Sequence, residues 1–502
     1  MTRGQRKELK QKITESQEKI HETIVTANAT INHRTQAVNS KRSYETIEEE
    51  QAARAEIVEA QIKAWRSILP ILIKRFSKIP DPRRAKSVKH QLTVLMIFGL
   101  LAFIFRLSSR REMNRELTGA AINNNLRKIF PEIETIPHAD TLARMLEITN
   151  PAEIEAAHVA LIKKLILNKK LKTLLINSCL PITIDGSQKL YRDGLLQDHL
   201  WLQRPVGNPE DENHQQYVYV IEANFTFKNG LNVPLMTEYL FMDNNELTNP
   251  NGKQDCEITA FERMMERLKL HFPRLKLVFF MDSLYATQNV MGLLHKNNWD
   301  YIISLPKNKL KDFAKQLNQQ RKFRQSVPGQ LWHRKRQQTF HWENNIEYGY
   351  EYQLKISLVS CLERWEEVNK KTGEIEIKHS EHAWISSIPM SIEKAHELLN
   401  CGVRKKELIE DSINTEKNRG YKYKHAFSYN WNGMQGFHLL MRLGHAVNAL
   451  SEFTKKLKKY IKANGVSATL KFIKETLFSP WLPTVWYEEQ ATKVAQLRFQ
   501  LE

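Results

Sequence analysis

Two short apolar runs, each ending on an acid, constrain this chain more than anything else in it. The first is Pro181-Ile182-Thr183-Ile184-Asp185-Gly186-Ser187, a β-branched run that sets one carboxylate beside a glycine and then turns polar. The second is Leu275-Lys276-Leu277-Val278-Phe279-Phe280-Met281-Asp282, with its acid just past the part that would be buried. Runs of this length and composition favour strands. Between them, residues 217–227 and 231–240 read as two strands about a Lys228-Asn229-Gly230 turn, which is a hairpin signal. With the Asp185 strand they make three adjacent antiparallel strands. Residues 256–270 then read as helix, 275–282 as strand, 287–296 as helix and 299–305 as strand. Antiparallel strands followed by a strand-helix-strand alternation predict a mixed α/β sheet with a carboxylate at two strand ends.

The chain is 502 residues long, too long for one ordinary core, so several domains are expected. Residues 1–65 carry a thin stripe at Ile13, Ile20, Ile24, Ala27 and Ile31. That stripe suits a charged helical arm, either a short coiled coil or a partly disordered segment. A second helix over 50–76 brings Ile57, Ile62, Trp65, Ile68 and Leu72 near one face, with a kink expected at Pro70. The apolar run from 92 to 105 has 14 residues, short of the ~20 that span a bilayer, and reads as a buried core helix. Residues 66–175 form a helical domain, in which the 136–141 loop enters a helix capped by Asp140. From 326 to 392 the sequence shifts to strand-like pieces rich in Trp and Tyr, a β insertion between 176–325 and 393–460. Helices are expected at 391–399, 405–417 and 437–459, with a helical or irregular tail over 461–502.

Lys plus Arg is 75 and Asp plus Glu is 56, a net charge of +19 and a sequence pI near 9.5. Such a balance points first to nucleic acid and second to an acidic membrane surface. The basic turn with Arg83 and Arg84 and the helical face with Arg110 and Arg111 are candidate contacts to the DNA backbone. Cys179, Cys256, Cys361 and Cys401 are scattered without metal-site spacing, as in a reduced, cytoplasmic chain. No apolar targeting segment opens the sequence.

A third acid, Glu410, lies on the helix expected over 405–417. Phosphodiester transfer needs an activated nucleophile, a stabilised leaving oxygen and tolerance of extra charge at phosphorus, which two Mg²⁺ ions about 3.5–4 Å apart supply. Mg²⁺ takes oxygen ligands and completes its shell with water and phosphate. Asp185, Asp282 and Glu410 are the candidate ligands. At about 100° per residue, Lys406 and Lys417 fall within about 40° of Glu410, a face suited to phosphates. The alternative is a surface helix with an i,i+4 ion pair between Lys406 and Glu410. Asp255 and Glu257 precede a helix and are assigned to structure, and His138 to a hydrogen-bonded loop.

Around these positions the sequence resembles the DDE transposases of bacterial insertion sequences. Their third acid commonly sits in a Y-x2-R-x3-E-x6-K signature, whose positions are occupied here by Val403, Lys406, Glu410 and Lys417. The acid and the last lysine match. The ordered set Phe76 to Arg84, Pro137 to Arg144, Asp185-Gly186-Ser187, Asp255-Cys256-Glu257, Asp282 to Ala286 and Lys417 to Tyr421 is similar to the H-repeat-associated branch. The resemblance implies a ribonuclease H-like catalytic domain interrupted by the β insertion and preceded by the helical domain and arm. It implies Asp185, Asp282 and Glu410 as catalytic metal ligands for two Mg²⁺ ions, with Mn²⁺ as a substitute, and Lys406 and Lys417 on phosphates. Its partners would be the terminal inverted repeats and target DNA, bound by a homodimer in the cytoplasm at the nucleoid, with no membrane role. The rivals are a DNA-binding repressor that has lost cleavage, prompted by Val403 and Lys406, and a nuclease that never joins strands.

Overall fold

The computed structural model describes residues 3–26, 44–194, 200–206, 214–242, 255–305, 329–333, 335–349 and 353–480. Ala27 and Ile31 of the arm, Tyr350 and Tyr352 of the insertion, and Trp481 and Trp486 of the tail lie outside them. The α-helices in chain order are α1 (Arg3–Thr26), α2 (Ile47–Phe76), α3 (Leu92–Ile104), α4 (Arg110–Leu117), α5 (Ala120–Ile129), α6 (Ala139–Ile148), α7 (Pro151–Leu167), α8 (Glu257–His271), α9 (Gln288–Lys296), α10 (Ile392–Ala395), α11 (Glu407–Asn418), α12 (Trp431–Glu452), α13 (Lys455–Asn464) and α14 (Val466–Leu477). The strands are β1 (Leu180–Asp193), β2 (Leu202–Pro205), β3 (His214–Thr226), β4 (Asn232–Tyr239), β5 (Leu277–Met281), β6 (Asp300–Ser304), β7 (Gly329–His333), β8 (Arg336–Tyr348), β9 (Leu354–Val368) and β10 (Ile375–Ser386). Two units interleave along the chain, one of Met1–Thr35, Ile176–Pro181 and Arg274–Lys406, the other of Gln36–Leu175, Ile182–Pro273 and Glu407–Glu502. Among the described residues no helix is long and apolar enough to cross a membrane.

The larger unit is built on α3, whose residues are buried at every position except Thr93. An all-round apolar helix must be covered on all sides, and α12 supplies one cover, with Leu440 against Gly99 and Phe103 against Gly444. Helix α2 starts at Ile47, three residues before the apolar stripe suggests. Thr46 Oγ1 accepts from Glu49 N at 3.2 Å, and Glu48, Glu49 and Glu50 fill the first turn, where the helix dipole favours acids. The helix runs through Pro70, which faces solvent. The cap of α6 is His138 and not Asp140. His138 is the last extended residue and its Nδ1 accepts from Asp140 N at 3.3 Å, so Asp140 already lies in the first turn, with Arg110 Nη1 3.3 Å away. The apolar helix expected over 437–459 runs instead from Trp431, capped by Asn430, and stops at Glu452 before α13.

In this unit β2, β3 and β1 lie side by side and β4 pairs with the far edge of β3, all antiparallel. The β3–β4 hairpin turns at Gly230, whose φ of +89° is open to glycine at no steric cost. A second glycine matters more. Gly420 has a φ of +95°, and a Cβ there would lie 2.9 Å from Arg106 Cβ. We expect Gly420→Ala to destabilise this unit by about 1–3 kcal/mol, read as a lower urea midpoint at unchanged slope; an unchanged midpoint would contradict the strain.

In the other unit β5 and β6 are parallel, with Phe279 opposite Tyr301, and β6 pairs antiparallel with β10. From β10 the order continues through β9 and β8 to β7 as an antiparallel meander, over the stretch where strand-like pieces are expected. Its aromatics go inward where they can: Phe340 and Trp384 are buried with Val359, Cys361 and Leu398, and Trp342 packs against them. Helix α1 docks on the β9–β10 turn, with Ser16 Oγ donating to Gly373 O at 2.7 Å and Ile20 and Ile24 buried. The 391–399 helix is one turn, α10, followed by a π-helical turn, His396–Asn400.

Candidate active site

Asp185 sits in β1 directly opposite Glu222 of β3. Side chains alternate along a strand and opposed residues share a face, so Asp185 and Glu222 point to the same side of the sheet. Glu222 is fully buried, and its carboxylate is saturated. It accepts from Thr237 Oγ1 at 2.6 Å and Tyr423 OH at 3.0 Å, with His438 Nε2 at 2.9 Å and Arg442 Nε at 3.2 Å. Arg442, 1 % exposed, continues to Glu416 Oε1 at 3.0 Å and donates to Asn224 Oδ1 at 2.5 Å. His445 Nδ1 lies 2.6 Å from the same Glu416 oxygen. Burial opposes the charge on Glu416, yet Arg442 and His445 hold its pKa down at about 2. Burial pulls the Lys189 ammonium down to about 8 against the attraction of Glu222 and Glu416, and it donates to Tyr423 O at 2.9 Å.

This cluster fixes the helix that carries Glu410. Helix α11 begins at Glu407, after a 3₁₀ turn over Val403–Lys405, and not at Lys405 as the sequence pattern suggested. Three contacts on one face tie it to the sheet: Asn232 Nδ2 donates to Leu408 O, Asn224 Nδ2 to Ser412 Oγ at 3.1 Å, and Arg442 to Glu416. Positions 408, 412 and 416 repeat every four residues, so Glu410 is left on the opposite, exposed face. Lys417 is half-buried; burial and Lys424 lower its pKa, while Asp185, Glu222 and Glu416 oppose that shift. Asp185 is therefore within electrostatic range of Lys417.

In the other unit Asp282 closes β5 and caps the short turn after it, Oδ1 accepting from Leu284 N at 3.0 Å. Its Oδ2 lies 3.6 Å from Lys406 Nζ. Lys406 thus stands by one of the two strand-end acids, and the other, Asp185, lies within electrostatic range of Lys417. Sequence periodicity puts both lysines on the helix face of Glu410; in the fold Lys406 also reaches Asp282, 124 positions away in the chain.

Asp255 and Glu257 belong to the framework. Asp255 pairs with Arg263 at 2.6 Å, and Glu257 accepts from Tyr219 OH at 2.6 Å at the start of α8. A Cβ on Gly186 would meet Tyr219 OH at 2.5 Å and Glu257 Oε1 at 2.7 Å. The glycine after Asp185 lets this pair lie against the strand on the face away from the acid. The basic candidates divide: Arg83 is bound to Asp81 at 2.6 Å and Arg110 to Asp140, whereas Arg84 and Arg111 are exposed.

Glu222, Glu416 and Arg442 escaped the sequence reading. Their signal is a lone charge inside an apolar stretch, Glu222 in β3 and Arg442 in α12, which demands a buried partner.

Asp185, Asp282 and Glu410 offer only carboxylate oxygens, which suit a hard divalent ion. Among the described residues no three His, Cys, Asp or Glu side chains are grouped as a metal cage. Comparison with protein families finds a Transposase DDE domain over residues 247–444 and a DDE_Tnp_1-associated region over 73–162. The first spans Asp282, Lys406, Glu410 and Lys417, with Asp185 before it; the second spans Arg83, Arg84, Arg110 and Arg111. No curated protein matches the chain. With both regions present in order and strand-end acids in a mixed α/β fold, the chain belongs with the DDE-type transposases.

Proposed function

We propose that the protein is the transposase of an insertion sequence: it binds the terminal inverted repeats of its element, cuts the strand to expose a 3′-hydroxyl and joins that hydroxyl to target DNA. Asp185, Asp282 and Glu410 hold the divalent ions, Mg²⁺ with Mn²⁺ as a substitute. When bound, those ions polarise the scissile phosphodiester and activate the attacking oxygen. Lys406 and Lys417 neutralise phosphates beside the acids, and Arg84 and Arg111 bind the backbone of the ends. Two ends must be held together, so the acting form is a dimer on DNA in the cytoplasm. The observation that carries this reading is the ion pair of Lys406 with the strand-end acid Asp282, with Lys417 in electrostatic range of the other strand-end acid, Asp185.

The test is a supercoiled plasmid bearing the element's own ends, incubated with Mg²⁺, Mn²⁺ or EDTA, and then a pre-cut end offered with target DNA. Nicking at the element boundary with either metal and none in EDTA is expected, followed by joining of the pre-cut 3′ end. End binding without cutting in any metal would favour the repressor; cutting without joining would favour a nuclease.

A further inference from the structure

The larger unit contains a cavity of about 450 Å³ whose walls come from α2, the end of α3, the turn after α11, α12 and α14. Four of its lining side chains keep a buried polar atom without a hydrogen-bond partner among the described residues: Gln61 Nε2, Trp65 Nε1, Arg106 Nε and Asn448 Oδ1. Gln61, Trp65 and Asn448 are each 1 % exposed. An orphaned buried donor costs roughly 1–3 kcal/mol, and natural cores seldom keep several in one place. The neighbouring atoms of these side chains are engaged. Asn448 Nδ2 donates to Ile104 O and Tyr421 OH, and Arg106 turns Nη2 toward Glu452 at 3.8 Å. The unused atoms are three N–H donors and one carbonyl acceptor.

The charge of the walls is one-sided. Arg106, Arg419, Lys471 and Lys474 line the cavity, with Arg419 and Lys471 exposed at its rim; the acids beside them, Glu452, Glu475 and Glu116, lie outside its lining. Trp65 and Phe105 supply an aromatic wall. A complementary ligand is anionic at one end, rich in acceptors, and flat and apolar in its body. The volume is that of an ordinary small-molecule pocket.

We propose that this cavity is a nucleotide site: the phosphate rests on Arg419 and Lys471, and the base enters toward Gln61, Trp65, Arg106 and Asn448. The nucleotide is either free in solution or the terminal residue of a DNA strand. Because the cavity touches Asn418, Arg419 and Gly420, occupancy braces the end of the helix that carries Glu410 and Lys417.

The full-length protein is titrated calorimetrically with dAMP, inorganic phosphate and a short single-stranded oligonucleotide, and the same titrations are run on Gln61→Leu and Lys471→Glu. Saturable dAMP binding is expected, at least about tenfold weaker in both variants. Gln61→Leu, which removes an orphaned donor at similar volume, should melt no lower than the parent when ligand is absent. Competition by the oligonucleotide identifies a strand end as the source, and no competition identifies a free nucleotide. The proposal is overturned if dAMP does not bind, if phosphate binds as tightly as dAMP, or if both variants bind dAMP like the parent. It does not depend on strand transfer, so it stands or falls separately from the transposase reading.

Discussion

Asp185→Asn is expected to lower boundary nicking and strand joining by more than about 100-fold while leaving end binding and melting temperature near those of the parent. Losing an outer-shell partner of a metal ligand already costs about 10–100-fold, so losing a ligand itself costs more. Asparagine keeps the volume of the half-buried strand residue and removes only the charge and one oxygen. The neighbouring Glu222 is already saturated by Thr237, Tyr423, His438 and Arg442 and is not free to replace it. Asp282→Asn and Glu410→Gln should behave alike. An Asp185→Asn protein that nicks at the parental rate would remove this acid from the chemistry.

Arg442→Leu should cost about 3–5 kcal/mol, measured by denaturant unfolding. Its guanidinium sits between two fully buried carboxylates, Glu222 and Glu416. Leucine leaves both without their main counter-charge where water cannot replace it. Replacing all three members by similar-sized uncharged residues should cost far less, because desolvation is then relieved along with the attraction. A single variant as stable as the parent would mean that Arg442 is not the main counter-charge of these two carboxylates. Glu416 is held at about 2, below its ordinary 4.5, so its contribution is present above pH 4.5 and is lost as the pH falls toward 2. Burial also lowers the pKa of His438, so it resists charging, which adds loss below about pH 6.5 with the same sign. Acid should therefore loosen the Glu410 helix from the sheet.

What could be read in the sequence was local. The hairpin about Gly230, the buried helix at 92–104 and the aromatic meander each rest on periodicity or composition within one stretch, and each is present. Helix ends were less legible because caps compete: His138 took the place expected of Asp140 by being the last extended residue. The Glu222, Arg442 and Glu416 cluster joins positions up to 220 apart in the chain, and no periodicity encodes such a pairing. The same holds for Lys406 and Asp282. Residue types named the candidate acids, but only the fold says which lysine attends which acid.

The packing of α3 against α12 bears on how the chain must be made. Leu440 covers Gly99, so an almost wholly apolar helix emerges from the ribosome about 340 residues ahead of its cover. At about 5–20 residues per second that interval is roughly 17–70 s. Until then α3 has its earlier neighbours α2 and α6 to pack against, Leu142 among them, and the face that α12 covers stays open. Production of intact protein is thereby tied to the cell's capacity to shelter unfinished polypeptides.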